Sequence, residues 1–161
     1  MMFNPDIVAA SVYYVPSLET AARSLKVVPI MTPVHDNAEI ETAIIALGRE
    51  PGSGLVVMPD VFMIAHRVPI ILAVARNYVP AVYAQPDFAR AGGLLYYGPD
   101  RADTYRGAAS YVDRILRGEK PAELPVQMPT KFEMIVNLKT AKALGLAVPP
   151  SILLRANEVI E

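Results

Sequence analysis

The sequence predicts an α/β protein in which a mostly parallel sheet is flanked by helices. Short apolar runs of strand length alternate with helical apolar stripes along the 161 residues. The runs at 55–58 and 94–97 are almost continuously apolar, which is typical of parallel strands covered on both faces. Alternation of strand and helix favours a parallel sheet with helices on both of its faces.

The first third of the chain predicts two helices and one strand. Apolar residues at helical spacing over 18–25, with Pro16 in the first turn, predict the first helix. The run 27–31 predicts a strand, and its proline favours a sheet edge or a strand end. Asp36 and Glu39 have the spacing of a capping box, so a second helix is expected to follow them.

The middle of the chain predicts strands at 55–58, 79–83 and 94–97, with one helical turn at 87–91. Two longer helices are expected. The inward residues of the first are Ile64, Val68, Ile71, Leu72 and Ala75. The second helix is capped by Asp100 and ends at Gly118. Its inward residues are Ala102, Tyr105, Ala109, Val112 and Leu116.

The last quarter of the chain predicts a connector, a strand and two helices. Three prolines without periodicity over 119–129 predict an extended connector. Phe132, Met134 and Val136 alternate with polar neighbours, which predicts a strand with one polar face. Asn137 is expected to cap a helix that ends near 144, and a short final helix is expected to begin at 149–151.

Composition excludes several classes of function. The absence of cysteine excludes a disulfide scaffold, a thiolate metal site and a cysteine nucleophile. A net charge of −1 lacks the basic footprint of a nucleic-acid binder, so no nucleic-acid partner is predicted. None of the metalloprotease, nucleophile-elbow, P-loop or dinucleotide motifs occurs, so we predict neither a cofactor, nor a metal, nor enzymatic activity.

The candidate ligand-binding residues are those that end the predicted strands. In open α/β sheets, ligands bind outside the carboxyl ends of the strands. This rule selects Pro59, Asp60, Tyr83, Tyr97 and Asp100. Their carboxylates suit an amine and their rings suit an apolar group. A structural alternative stays open, in which both aspartates are helix N-caps and both tyrosines are half-buried packing residues.

Four segments resemble one known family. They are FNPD at 3–6, GGLLYYGPD at 92–100, PTKFEMIVNLKTAKALGL at 129–146 and the closing stretch 148–161. These segments resemble the substrate-binding proteins of ABC transporters, in the uncharacterised, tryptophan-binding-like group. The resemblance implies a type I periplasmic-binding-protein fold, in which two α/β lobes close on a ligand. The chain resembles the second half of such proteins.

The resemblance also implies a division of the chain. Residues 1–90 and 130–161 would form a domain like the second lobe, 91–118 would be a returning strand–helix segment of the first-lobe type, and 119–129 would be a proline-rich crossover. By resemblance the protein is expected to be periplasmic. The residues after Met1 lack the charged and apolar regions of a signal peptide, so a natural start at Met1 would instead imply the cytoplasm.

The expected partners are a small polar or aromatic solute and, by resemblance, an ABC permease. A strand and helix belonging to an absent lobe would expose an apolar face, so we also expect a homodimer, with exchange of that segment as one form. Two alternatives remain. The chain could be a stand-alone α/β ligand-sensing or interaction domain no longer coupled to transport, or its strands could form one five- or six-stranded sheet.

Overall fold

The computed structural model describes residues 1–7 and 14–161. The described strands are β1 (Met2–Phe3), β2 (Thr32–Pro33), β3 (Leu55–Val57), β4 (Ala81–Tyr83), β5 (Leu95–Pro99), β6 (Phe132–Asn137) and β7 (Glu158–Ile160). The described helices are α1 (Val15–Ser24), α2 (Asn37–Gly48), α3 (Val61–Ala65), α4 (Arg67–Arg76), α5 (Pro86–Arg90), α6 (Arg101–Leu116), α7 (Leu138–Ala143) and α8 (Pro150–Leu153). A 3₁₀ turn lies at Pro121–Glu123.

The described strands form one sheet in the order β2-β1-β3-β4-β5-β6-β7. Every neighbouring pair is parallel except β5 and β6, which run antiparallel with Tyr96 opposite Ile135. The predicted α/β class is therefore confirmed. The alternative of a sheet of five or six strands is wrong in its number of strands, because Glu158–Ile160 add a seventh strand, β7, beside β6. A strand of three residues is too short to show a period in the sequence.

The larger part of the core lies on one face of the sheet, under α2 and α4. Side chains on a strand alternate between faces, so Leu55 and Val57 of β3 point to this side. They pack with Ile44 from α2 and with Ile70 and Val74 from α4. These residues are buried, and α2 and α4 pack directly against each other.

The opposite face holds a smaller cluster that packs against α1. Phe3 and Met58 are buried there, and Val15 and Leu18 of α1 lie against them. The first helix is therefore as predicted, but its apolar face is only partly covered: Leu18 and Ala22 pack inward, whereas Leu25 is 73% exposed. Because helices cover both faces of the β1–β3 region, the continuously apolar sequence of 55–58 is explained.

Two local predictions were wrong. The strand predicted at 27–31 is not formed there. The observed strand, Thr32–Pro33, begins directly after that run, because β1 pairs its Met2 and Phe3 with these two residues. Its position at the sheet edge is as predicted. The helix predicted across 64–75 is broken at His66 into α3 and α4. Its expected inward residues Ile64, Val68 and Leu72 are exposed, whereas the buried residues of α4 are Ile70, Ile71, Ala73 and Val74.

Helix α6 differs from the rest of the fold because none of its 16 residues is buried. The inward face predicted for it is exposed, with Tyr105 at 72% and Leu116 at 80%. Its contacts run to the connector that follows it: the Tyr111 hydroxyl donates a hydrogen bond to the Pro125 carbonyl, and Lys131 Nζ lies 2.5 Å from Asp103 Oδ1.

The division into segments 1–90 with 130–161, 91–118 and 119–129 stays a prediction. The strand of the middle segment, β5, lies inside the common sheet between β4 and β6. Helix α6 and the connector, in contrast, contribute no residue to the core clusters. The helix and its strand therefore have different surroundings, although the sequence groups them together.

Candidate functional site

The carboxyl ends of β1, β3, β4 and β5 lie at one edge of the sheet, because these strands are parallel. The residues that follow these strands are Asn4 after β1, Pro59 and Asp60 after β3, Gln85 after β4 and Asp100 after β5. The antiparallel strand β6 begins at the same edge. The structure therefore brings Pro59, Asp60 and Asp100 to the edge that the sequence predicted.

Asp60 is 4% exposed and joins two elements. Its Oδ1 accepts a hydrogen bond from the Met63 N–H at 2.7 Å, so it is the N-cap of α3. Its Oδ2 accepts a bond from the Asn4 N–H at 3.2 Å, which ties the end of β1 to the β3–α3 turn. Both carboxylate oxygens therefore have a structural partner, as a buried carboxylate requires.

Asp100 has the same capping role at α6. Its Oδ1 accepts a hydrogen bond from the Asp103 N–H at 2.9 Å, and its own N–H donates to the Lys131 carbonyl at 2.9 Å. The structural alternative, that both aspartates are N-caps, is therefore correct. Their contact with a ligand stays a prediction, as does that of Pro59, which is half-buried in the turn before Asp60.

Tyr83 lies inside the core and is 1% exposed. Its ring stacks on Phe88 with 4.7 Å between the centroids, and a Cβ on Gly93 would lie 2.5 Å from it. Burial raises the pKa of the Tyr83 hydroxyl, which has no hydrogen-bond partner among the described residues. The structure therefore does not bring Tyr83 to the surface of the sheet edge.

Tyr97 is 45% exposed and stacks on Phe132, with ring centroids 5.6 Å apart. Its neighbour Tyr96 points to the other face of β5 and is buried. The Tyr96 hydroxyl donates a hydrogen bond to the Pro99 carbonyl at 3.1 Å. Burial raises the pKa of Tyr96, so its hydroxyl stays protonated at neutral pH.

A cavity of about 260 Å³ opens at the carboxyl edge between β4 and β5. The lining residues are Ala84, Gln85, Tyr96, Pro99, Arg101, Thr104, Tyr105 and Pro129. Sequence reasoning selected none of them as a site residue. The signal was present, because Gln85 lies two residues after the end of β4 and 101–105 form the first turns of the helix after β5.

The cavity combines a cation, polar groups and an aromatic ring. The Arg101 guanidinium lies 3.8 Å from the Asp87 carboxylate and is more than half exposed. Gln85 can both donate and accept hydrogen bonds, and the Tyr105 ring is largely exposed. An arginine fork suits a carboxylate, and an exposed ring suits an apolar or aromatic group.

His35 and Glu39 form an ion pair just after the edge strand β2. His35 Nδ1 lies 2.9 Å from Glu39 Oε2, and the His35 N–H donates to the same oxygen at 2.7 Å. The hydrogen bond to Glu39 raises the pKa of His35, and the hydrogen bonds from His35 lower the pKa of Glu39. Both side chains are exposed, so this is a surface pair.

Of two larger cavities, one is remote from this site and the other adjoins it through Thr104 and Pro129. One of about 520 Å³ is at the opposite edge of the sheet, between α1 and the turn at 51–54, and its lining is mainly apolar. The other, of about 740 Å³, lies between α6 and the connector. Within residues 1–7 and 14–161, no group of three or more His, Asp or Glu side chains is arranged to hold a metal ion.

A family model described as "ABC transporter substrate binding protein" matches residues 1–160. A search of curated proteins found no match. None of the helices in the described part of the chain is long and apolar enough to cross a membrane.

Three solved structures are similar to this chain. A conserved domain protein from Vibrio cholerae O1 biovar El Tor has a TM-score of 0.85 and 23% identity, and the match covers 98% of this chain and 53% of that one. The ABC domain in complex with L-Trp from Streptococcus pneumoniae has a TM-score of 0.85 and 20% identity, over 99% of this chain and 53% of that one. The ligand-free, open structure of a substrate-binding protein with adhesive properties from Clostridium difficile has a TM-score of 0.72 and 21% identity, over 99% and 52%.

The chain thus spans about half the length of the solved proteins that it matches. At these identities the likeness shows the fold, which agrees with the mostly parallel sheet described above.

Proposed function

Because this chain belongs to the family of ABC transporter substrate-binding proteins, we propose that it binds a small solute at the carboxyl edge of its sheet without chemical change. The observation that supports this most directly is the cavity between β4 and β5, bordered by Gln85, Arg101, Thr104 and Tyr105. Its volume of about 260 Å³ is near the lower end of the roughly 300–1,000 Å³ usual for ligand pockets. A solute of amino-acid size fits this proposal.

The proposed solute class is an aromatic molecule with a carboxylate. Arg101 would bind the carboxylate through two parallel N–H···O bonds, and Tyr105 would stack on the ring. Gln85 would take the remaining polar group. The Streptococcus pneumoniae structure contains L-Trp, a ligand of this class, which makes L-Trp the first compound to test.

The residues selected from the sequence have different proposed parts in this site. Pro59 and Asp100 are proposed contacts at the edge, and Asp60 holds the turn that presents Pro59. Tyr97 would extend the exposed apolar surface beside them. Tyr83 would support the site from within the core. Its ring packs on Phe88 of α5, the helix that begins directly after Gln85.

Isothermal titration with L-Trp, L-Phe, L-Ala and indole tests this proposal. We expect L-Trp to bind, and Arg101→Ala to weaken its affinity by about 10- to 100-fold, as the loss of a charged hydrogen bond does. Arg76→Ala is the matched control, because Arg76 at the end of α4 is an exposed arginine paired with Glu41 of α2. Binding of none of the four compounds, or equal affinity in Arg101→Ala and the parent protein, would contradict the proposal.

Coupling to a permease is the second part of the proposal and rests on the family. We propose that the protein acts outside the cytoplasm and presents its solute to the permease of an ABC transporter. The alternative, a ligand-sensing or interaction domain without transport, predicts solute binding without an effect on a transporter. Stimulation of ATP hydrolysis by a reconstituted transporter encoded beside this chain distinguishes the two.

A second copy of this chain is the last proposed partner. The exposed apolar face of α6 supports this homodimer, because such a face in water favours association.

A further inference from the structure

We propose that two copies of this chain pair through α6, with the two helices antiparallel and Ala109 at the two-fold axis. This inference specifies the interface of the homodimer proposed above, and it does not depend on solute binding. Three features of α6 support it: an exposed apolar seam, the symmetry of that seam about its centre, and the placement of charges beside it.

The seam consists of Ala102, Tyr105, Ala109, Val112 and Leu116. Their spacing of three and four residues places them on one side of the helix, as in a coiled coil. Every member is exposed. The connector lies on the other side, where Asp103, Gly107 and Tyr111 are partly buried. The chain's own connector therefore leaves the seam free.

The seam is symmetric about Ala109. Ala102 lies seven residues before Ala109 and Leu116 seven residues after it, while Tyr105 and Val112 flank it at four and three residues. In an antiparallel pair, Ala102 therefore faces Leu116 of the partner subunit, and Tyr105 faces Val112 of the partner subunit. Each large side chain meets a smaller one. Alanine at the centre allows the helix axes to approach to about 8 Å.

The charges beside the seam favour the antiparallel arrangement. Arg106 and Asp113 lie on the same flank, three residues before and four residues after Ala109. An antiparallel pair places Arg106 opposite Asp113 of the partner subunit, and the two-fold axis repeats this contact. A parallel pair would instead place Arg101 beside Arg106 of the partner subunit, so two positive charges would repel. Among the described residues of one chain, Arg106 pairs with Asp103 at 4.0 Å and Asp113 pairs with Arg117 at 3.0 Å. Arg106, Asp113 and Arg117 are exposed, whereas Asp103 is partly buried.

The size of the interface sets its strength. A helix of 16 residues is about 24 Å long, and a pair of them buries less than the roughly 800 Å² per partner of a standard interface. We therefore expect a dimer that dissociates in the micromolar range. Tyr105 also lines the β4–β5 cavity, so the partner's Val112 would border the open side of that cavity.

Single cysteines give a direct test, because the natural sequence has none. A disulfide needs Cα atoms within about 7 Å, which two copies of residue 109 meet only near the axis. We expect Ala109→Cys to form a cross-linked species of twice the 17.5 kDa chain mass under mild oxidation. Ser110→Cys is the control, because it is equally exposed but points about 100° around the helix. Equal cross-linking of both variants, or none in folded Ala109→Cys, would overturn the helix pairing.

Charge exchange tests the orientation by light scattering over a concentration series. We expect Arg106→Asp and Asp113→Arg each to raise the dimer dissociation constant by about 2- to 30-fold, and the double variant to restore it. If the wild-type protein dimerises but neither the cross-linking nor the charge exchange gives its expected result, this interface is wrong and another one forms the dimer. A wild-type monomer at every concentration would overturn the homodimer as well, whereas L-Trp titration of the same sample reports on solute binding alone.

Discussion

The half of the sheet around β1, β3 and β4 and the α6–connector region both contain many apolar residues, but they bury them very differently. Around the strands, Ile44, Ile70 and Val57 are almost completely inaccessible. In α6 no side chain is buried, and Val126 in the connector is 94% exposed. An apolar stripe predicts that a helix has a face to cover, but it does not predict that the same chain supplies the cover.

The largest expected contrast between the two regions is in the cost of removing an apolar side chain. Ile44→Ala should lower the free energy of unfolding by about 2–5 kcal/mol, because it leaves a cavity in the main core. Val126→Ala should change it by less than about 0.5 kcal/mol, because that side chain is exposed. Urea unfolding measures both. Similar losses in the two variants would mean that the connector is packed as well as the core.

Two glycines, one in each region, allow a second comparison of how tightly the regions are packed. A Cβ at Gly93 would lie 2.5 Å from the Tyr83 ring and 2.8 Å from the Phe88 carbonyl oxygen, so Gly93→Ala should destabilise by about 1–3 kcal/mol. A Cβ at Gly107 in α6 meets nothing within 4 Å, so Gly107→Ala should stabilise by about 0.5–1 kcal/mol through helix propensity. Thermal unfolding of both variants checks the opposite signs. Destabilisation by Gly107→Ala would show that α6 is packed on that side.

Two of the N-capping aspartates, Asp60 and Asp100, give a third comparison. Asp60→Ala leaves the buried N–H groups of Asn4 and Met63 without a partner and should cost about 1–3 kcal/mol. Asp100→Ala removes one cap bond at the more exposed start of α6 and should cost about 0.5–2 kcal/mol. Chemical denaturation ranks them. A larger loss of stability in Asp100→Ala than in Asp60→Ala would contradict the expectation that the buried cap contributes more.

The smallest effect is expected at the His35–Glu39 surface pair. Because the pKa of His35 is raised in the folded state, the residue contributes stability that is fully present below its ordinary pKa of 6.5. This contribution is lost as the pH rises through the higher pKa of the folded state. Because the pKa of Glu39 is lowered in the folded state, the residue contributes stability that is present above its ordinary pKa of 4.5. This contribution is lost as the pH falls through the lower pKa of the folded state. The pair should therefore stabilise most between pH 4.5 and 6.5. His35→Gln should lower the melting temperature most within this range and should remove the pair's loss of stability above pH 6.5 and below pH 4.5, whereas an unchanged profile would exclude the pair as its source.

The sequence located part of the candidate site. Strand ends and helix caps are local features, so Pro59, Asp60 and Asp100 were placed at the correct edge without any coordinates. Tyr83 was selected by the same rule but is buried, because the side of a strand on which a residue packs depends on the neighbouring strands and helices. The cavity at Gln85 and Arg101 was missed, because its walls belong to separate elements that only the folded chain brings together.

By itself, the sequence determined the alternation of strands and helices and the caps at Asp36, Asp60, Asp100 and Asn137, since each depends on residues within a few positions of one another. Only the tertiary structure decided that Glu158–Ile160 form β7, that α4 buries Ile70 rather than Val68, and that the other described residues bury no residue of α6. These outcomes depend on contacts between distant segments. Local pattern shows that a face is apolar, whereas packing decides what that face meets.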